Sequence, residues 1–387
     1  MENFEYCTPT RMIFGKNSIE KLPEVLKAIG KKVLLTYGGG SIKKQGLYDK
    51  IKELLADFEI YELSGIEPNP KYSTSVLEGV KICKEKGIEV ILAAGGGSVL
   101  DCSKAIAAGA RYDGEPWDLI TYKVPTKAAL PVVDIMTLSA TGSEYDAGCV
   151  ISRTETNDKV GYIDPHLYPV CSILDPTYTF TVSKKQTAAG TADAINHVIE
   201  WYFAEPATML TDGMCEAAIK SLMHNVKIAL EKPDDYEARG ELMVDCALAC
   251  NGIFAIGCGG SGWPCHGIEH ALSAYYDITH GEGLAIITPR WMKHILNERT
   301  MNRFVKFGVN IFGIDSSLPE KEIAEKTIDE MYKFFEEIGI PMHLKDVGID
   351  ESRIDEMAHH IAVNEGLDKA YAPLSEKDIR EILIASL

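Results

Sequence analysis

The sequence predicts an α/β amino-terminal domain followed by an all-α carboxy-terminal domain, and three observations carry that reading. Short apolar runs alternate with amphipathic stretches through the first half of the chain, the pattern of βαβ units around a mainly parallel sheet. Beyond Ser183 apolar residues recur three and four apart, the helical period, and no comparable run of strands follows. Asp175-Pro176 separates the two patterns, so the boundary is expected near residue 180, with domains 1–180 and 181–387. A chain of 387 residues is long enough to give each its own core.

In chain order, residues 12–14 read as an edge strand, and residues 32–36 (KVLLT), 58–63, 89–94 (EVILAA), 132–138 and 171–174 read as strands of the sheet. Residues 42–55 and 73–86 have helical spacing and would cover it. Residues 150–162 hold short apolar pieces broken by ThrGluThrAsnAspLys and read as a β-hairpin appended to the sheet. In the second half, residues 185–203, 210–230, 241–254, 267–275, 284–296, 320–338 and 375–385 are expected helices.

Composition narrows the function. Lys plus Arg total 39 and Asp plus Glu 57, so the formal balance is 39 − 57 = −18. Such an anionic chain is poorly suited to nucleic acid, whose binding depends on neutralising phosphates. The start, MENFEYCTPTR, lacks a basic, then apolar secretory signal, and no run of apolar residues is long enough to span a membrane. A cytoplasmic protein is expected, with no membrane partner. None of the ten cysteines forms a CxxC pair, which reads as reduced and mostly buried thiols.

Two copies of GlyGlyGlySer, at Gly38 to Ser41 and Gly95 to Ser98, each follow a predicted strand and precede a predicted helix. Glycine lets the backbone approach a phosphate, and the helix behind it adds free amides and the positive end of its dipole. Neither copy is a GxGxxG fingerprint, because Lys43 and Leu100 stand at the third glycine position. The two turns are expected to hold the phosphates of a dinucleotide, the alternative being tight strand-to-helix turns that bind nothing. From Tyr37 to Tyr48 there is no carboxylate, only Ser41, Lys43 and Lys44, which favours a 2′-phosphate and hence NADP(H). Thr137-Leu-Ser-Ala-Thr141-Gly-Ser-Glu, after the fifth strand, offers further hydroxyls.

The helical half carries a second constellation. Asp193 and His197 are four apart and so share one helix face, His266 and His270 repeat that spacing, and His280 follows closely. One carboxylate among imidazoles suits a divalent iron or zinc ion better than magnesium or calcium.

Taken together, GlyGlyGlySerValLeuAsp101, AlaThr141GlySerGlu, Asp193-x3-His197, His266-x3-His270 and His280 resemble the iron-containing (group III) alcohol dehydrogenase family. The nearest branch is that of NADPH-dependent butanol dehydrogenases and broad-range aldehyde reductases, and the likeness runs over essentially the whole chain. The resemblance implies a dehydroquinate synthase-like fold with a dinucleotide-binding α/β domain and a metal-binding helical domain. It implies Asp193, His197, His266 and His280 as ligands of one Fe2+ or Zn2+ ion, with His270 facing the nicotinamide and substrate. It further implies Gly38, Gly39 and Ser41 at the adenosine phosphate end, Gly96, Gly97, Ser98 and Asp101 around the pyrophosphate with Thr137, Thr141 and Lys159 nearby, Asn69 near the adenine, and a homodimer. Members that prefer NAD carry an Asp near the first glycine turn, which is absent here. Many read ThrThr where this chain has Thr137-Leu138.

The expected chemistry is reversible hydride transfer between NADP(H) and small to medium aliphatic aldehydes or primary alcohols such as butyraldehyde and butanol, with His270 passing the proton. Phe254, Trp263 and Tyr276 would supply an apolar lining. The alternatives are a lyase resembling dehydroquinate synthase, a hydrolase and a non-enzymatic metal-binding protein. The lyase would need basic residues beside the metal motifs for its carboxylated substrate, and Lys184, Lys185, Lys220, Lys227, Lys232 and Arg239 are the only ones from Ser183 to Thr288.

Overall fold

The computed structural model describes all 387 residues. Its strands are β1 (Arg11–Phe14), β2 (Lys32–Tyr37), β3 (Glu59–Leu63), β4 (Val90–Gly95), β5 (Val132–Met136), β6 (Gly148–Arg153), β7 (Asp158–Ile163) and β8 (Cys171–Leu174). Six form one parallel sheet in the order β1-β8-β5-β4-β2-β3. Successive residues of a strand point to opposite faces, and here both faces are buried. Val33, Leu35, Val90 and Leu92 enter one core, while Leu34, Ile91 and Ala93 enter the other. Burial on both sides is why these strands are unbroken apolar runs.

Two expectations need correction. The hairpin is not an extension of the sheet: β6 and β7 form a separate antiparallel ribbon. It is tied to the segment before the Leu77–Lys86 helix by a bridge from Ser152 to Lys71 and by a bond from the Ser152 amide to the Pro70 carbonyl at 2.9 Å. The expected helix over 42–55 is two, Ser41–Lys44 and Leu47–Leu54, because Gly46 sits between them with φ +77°, a left-handed conformation that glycine adopts readily.

The compact units are also not the two halves of the chain. One comprises residues 7–183 with 232–251, the other residues 1–6, 184–231 and 252–387. The Tyr236–Ala249 helix therefore leaves the helical half and joins the α/β unit. Met243 enters the sheet's core, Gly240 lies against Phe14 and Pro176, and the Tyr236 hydroxyl accepts from the Lys16 amide at 3.0 Å. Besides the anticipated helices, the second unit has Met301–Phe307 and Ile354–Asn364. No helix is long and apolar enough to cross a membrane, and all ten cysteines are free.

The Gly97–Ala110 helix organises the segment that follows β5. Lys104, fully buried, donates to the carbonyls of Ser143 (2.7 Å), Asp146 (3.0 Å) and Gly148 (2.7 Å) and to Oδ1 of Asp146 (2.9 Å). One turn earlier, Asp101 accepts from the Ser143 hydroxyl at 2.7 Å and from the Val150 amide at 2.9 Å. Glu144, in the same segment, is buried with neither carboxylate oxygen hydrogen-bonded, and burial pushes its carboxyl up to about 7.

Because that value lies above the ordinary carboxylate range, the Glu144 contribution is complete in acid and is lost as the pH rises through about 7. Glu144→Gln keeps the shape without the charge. The stability difference between wild type and E144Q, read from denaturant titrations, is expected to move in favour of E144Q by on the order of 3 kcal/mol between pH 4 and pH 8. A difference that does not change with pH would contradict the buried neutral acid.

Candidate functional site

The glycine turns stand at the carboxyl ends of β2 and β4, which pair directly, with Tyr37 opposite Ala94. The chain passes outward from β2 to β3 and, on the other side, from β4 to β5, so the turns flank the point where strand order reverses. Open α/β sheets bind ligands at such a point. Thr137 follows β5, the other neighbour of β4, and its amide donates to the Gly95 carbonyl at 2.9 Å. Gly38, Gly39, Ser41, Gly96, Gly97, Ser98, Thr137 and Thr141 are therefore gathered at one end of three adjacent strands.

The second turn is closely built. A Cβ on Gly97 would lie 2.4 Å from Thr141 Oγ1, too close without a shift, and one on Gly96 would press on Leu138 at 3.1 Å, so the backbone is bare there. Gly96 caps a helix of fourteen residues, whose first amides are free for a phosphate. At the first turn, Gly40 has φ +103°, and a Cβ on Gly39 would meet nothing. Lys43 lies over the rings of Tyr37 and Tyr48, 5.1 and 4.7 Å from their centroids, and both hydroxyls donate to Glu62 at 2.8 Å.

The remaining nucleotide expectations divide. Lys159 on β7 is buried and pairs in register with Ser152, whose bridge to Lys71 brings Asn69, itself left-handed at φ +49°, to the same ribbon. Asp101, on the helix behind the second glycine turn, accepts from Ser143 with one oxygen and from Val150 with the other and so also ties the segment after β5.

In the helical unit, Asp193 and His197 project from the Lys184–Tyr202 helix, His266 and His270 from Pro264–Tyr276, and His280 opens His280–Ile295. Asp193 Oδ1 is the common point: the Nε2 atoms of His197, His266 and His280 lie 3.5, 3.6 and 3.7 Å from it. The ligand atoms of Asp193, His266 and His280 all fall within 4.8 Å of one another. Asp193 Oδ1 and His266 Nε2 are buried without a hydrogen-bond partner. An orphaned carboxylate oxygen and an orphaned imidazole nitrogen, with two further imidazole Nε2 atoms converging on the same oxygen, fit a divalent transition ion.

The buried charges shift the groups of the site in different directions. Burial by itself would raise the Asp193 carboxyl, but the imidazoles around it, His197 foremost, hold it well below the carboxylate range. Burial drives His197 down to about 3 against the pull of Asp193, so its ring is neutral and able to ligate. Burial also opposes charge on His266, but Glu200 and then Asp193 outweigh it and raise that ring to about 9.

Two residues that sequence reasoning missed complete the site. Glu200 pairs with His266 Nδ1, and its Oε1 accepts the Cys265 amide at 2.7 Å; Glu269 pairs with His280 Nδ1 and accepts from Ser273. Both are fully buried. A carboxylate on Nδ1 fixes the tautomer and turns Nε2 inward. A signal was present, since Glu200 is three residues after His197 and Glu269 directly precedes His270.

His270 stands apart from Asp193. Its ring lies 5.9 Å from that of His280, nearly parallel, and Nδ1 is 3.9 Å from Oε2 of Glu365. Of the aromatic residues expected nearby, Trp263 meets the rings of His197 and His266, whereas Phe254 belongs to the core.

The chain is similar to one family over nearly its whole length. Residues 9–176 match the family model "iron-containing alcohol dehydrogenase" and residues 187–387 the model of that family's C-terminal part. The sequence is 47% identical over 386 residues to NADH-dependent butanol dehydrogenase A of Clostridium acetobutylicum, covering 99% of each chain. It is 37% identical over 359 residues to the NADPH-dependent aldehyde reductase YqhD of Escherichia coli, covering 92% of this chain and 91% of that one. The crystal structure of NADH-dependent butanol dehydrogenase A from Thermotoga maritima superposes with a TM-score of 0.95 at 41% identity, over 100% of this chain and 99% of that chain.

Proposed function

Because the chain belongs to the iron-containing alcohol dehydrogenase family and is thus an alcohol or aldehyde oxidoreductase using a divalent metal and a nicotinamide cofactor, we propose that it reduces small to medium aliphatic aldehydes such as butyraldehyde with NADPH, and reversibly oxidises the alcohols. The convergence of three imidazole Nε2 atoms on Asp193 Oδ1 carries the reading. Asp193, His197, His266 and His280 would hold the metal, which when bound supplies a Lewis acid for the substrate oxygen. Glu200 and Glu269 keep two of these rings in the ligating tautomer. The nicotinamide supplies or accepts the hydride. His270, one helical turn beyond His266, holds the proton exchanged at the substrate oxygen, and Glu365 balances its charge. Gly96, Gly97 and Ser98 bind the pyrophosphate through backbone amides, while Gly38, Gly39 and Ser41 face the adenosine end.

Preference for NADPH is supported by the absence of a carboxylate between Tyr37 and Tyr48 and by Lys43 beside the first turn. The name of the 47% identical relative, NADH-dependent butanol dehydrogenase A, and Glu62 at the end of β3 favour NADH as the second reading. Steady-state rates with butyraldehyde decide between them. The expected result is a kcat/KM for NADPH roughly tenfold or more above that for NADH, an advantage lost in Lys43→Ala, as removing a charge-assisted contact to a phosphate predicts. A preference for NADH unaffected by that substitution would select the second reading.

A further inference from the structure

The three imidazoles around Asp193 are not held alike. His266 and His280 are each aimed by a buried carboxylate on Nδ1. His197 Nδ1 is also buried, yet no protein group bonds to it. Ring packing takes the place of that bond. One face of His197 lies on His266, with centroids 4.7 Å apart and planes 14° from parallel, and its ring meets Trp263 at 5.8 Å and 71°. Trp263 in turn meets His266 at 5.1 Å and Trp201 at 4.6 Å, each nearly perpendicular.

The backbone of Trp263 is as notable as its ring. It has φ +49° and ψ +50°, a left-handed conformation that a bulky residue avoids and that persists only where its surroundings impose it. Its carbonyl accepts from the Gly267 amide at 2.9 Å, one of the first bonds of the helix that carries His266, and Pro264 follows at the first helical position. The preceding Gly262 is pressed against Ala370, where a Cβ would come within 2.5 Å. These contacts maintain a strained residue whose indole lies against two of the histidines.

We propose that Trp263 is the positioning residue for His197, doing by ring packing what Glu200 and Glu269 do by hydrogen bonds for the other two. The proposal rests on reading Asp193, His197, His266 and His280 as the ligand set. Its consequence is that His197 loses its aim when the indole is removed, while His266 and His280 keep theirs.

The test uses the full-length protein loaded with Co2+ in place of the native ion, without nucleotide. Affinity is measured by chelator competition, and the visible d–d bands report the ligand field. Trp263→Asn removes the ring while tolerating the left-handed backbone; Trp263→Leu serves the same purpose if the Asn variant does not fold. Loss of the ring is expected to weaken Co2+ binding by about tenfold or more, the usual effect of removing a group that orients a ligand, and to change the d–d bands. Trp263→Phe, which restores an aromatic ring, is expected to return both toward wild type. In a His197→Ala background the Trp263→Asn change is expected to add nothing. Unchanged affinity in the ring-less variants, or an equal loss with and without His197, overturns the proposal alone. A wild-type protein that fails to bind Co2+ overturns the ligand set and this proposal with it.

Discussion

Asp193→Asn is expected to lower kcat/KM for aldehyde reduction by about a thousandfold, because Lewis-acid assistance is worth several kcal/mol and each tenfold in rate is about 1.4 kcal/mol. Oδ1 of this carboxylate is the atom on which the three Nε2 atoms converge, and the charge of Asp193 would offset that of a divalent ion held there. An amide keeps the size but removes that charge, so the purified variant should also carry little metal by elemental analysis. Glu200→Gln is the milder counterpart. His266 stays in place but loses the acceptor that fixes its tautomer, and metal affinity should fall about 10- to 100-fold. A metal-free D193N enzyme with undiminished turnover would refute the metal's role, whereas full metal content with lost turnover would move Asp193 from holding the ion to another task.

Lys104→Met is expected to be the most damaging single change to the α/β unit. The ammonium is fully buried, and its removal leaves the Asp146 carboxylate and the carbonyls of Ser143, Asp146 and Gly148 without the donor they share. Breaking a buried ion pair by deleting one partner typically costs about 3–5 kcal/mol. For a unit of this size that is a fall in Tm of roughly 10 °C or more, measurable by calorimetry. Burial disfavours the charge on Lys104, but Asp146 and Asp101 outweigh it and hold its pKa above the ordinary value, so the ion persists at neutral pH. A K104M protein as stable as wild type would mean that the segment after β5 finds other donors.

Much of the site was legible in the sequence because its residues come in helical spacing. Asp193 with His197, and His266 with His270, announce a shared face before any fold is known, and the two GlyGlyGlySer turns follow strands that their apolar runs betray. The second layer was harder to read. Glu200 is a single buried glutamate on a helix, and its partner's imidazole is 66 residues further on, a pairing that local spacing does not encode. Asp101 adds a second case: its two hydrogen bonds, to residues 42 and 49 positions away, tie a neighbouring loop, a task that its motif does not announce. The break at Gly46 and the separation of the β6–β7 ribbon from the sheet depended on one left-handed glycine and on a choice of strand partner.

The helix Tyr236–Ala249, which returns to the α/β unit after an excursion of 48 residues through the helical one, has a consequence for how the protein is made. During synthesis the six strands of the sheet have all emerged by Leu174, but the unit's core lacks Met243 and its last covering until the ribosome has passed Asn251. An incomplete apolar surface is therefore exposed over dozens of elongation steps, the interval in which nascent chains aggregate or recruit chaperones. The same threading bears on inheritance: one crossover between related genes cannot exchange the α/β unit whole, so its two segments must be inherited together or fit each other afresh.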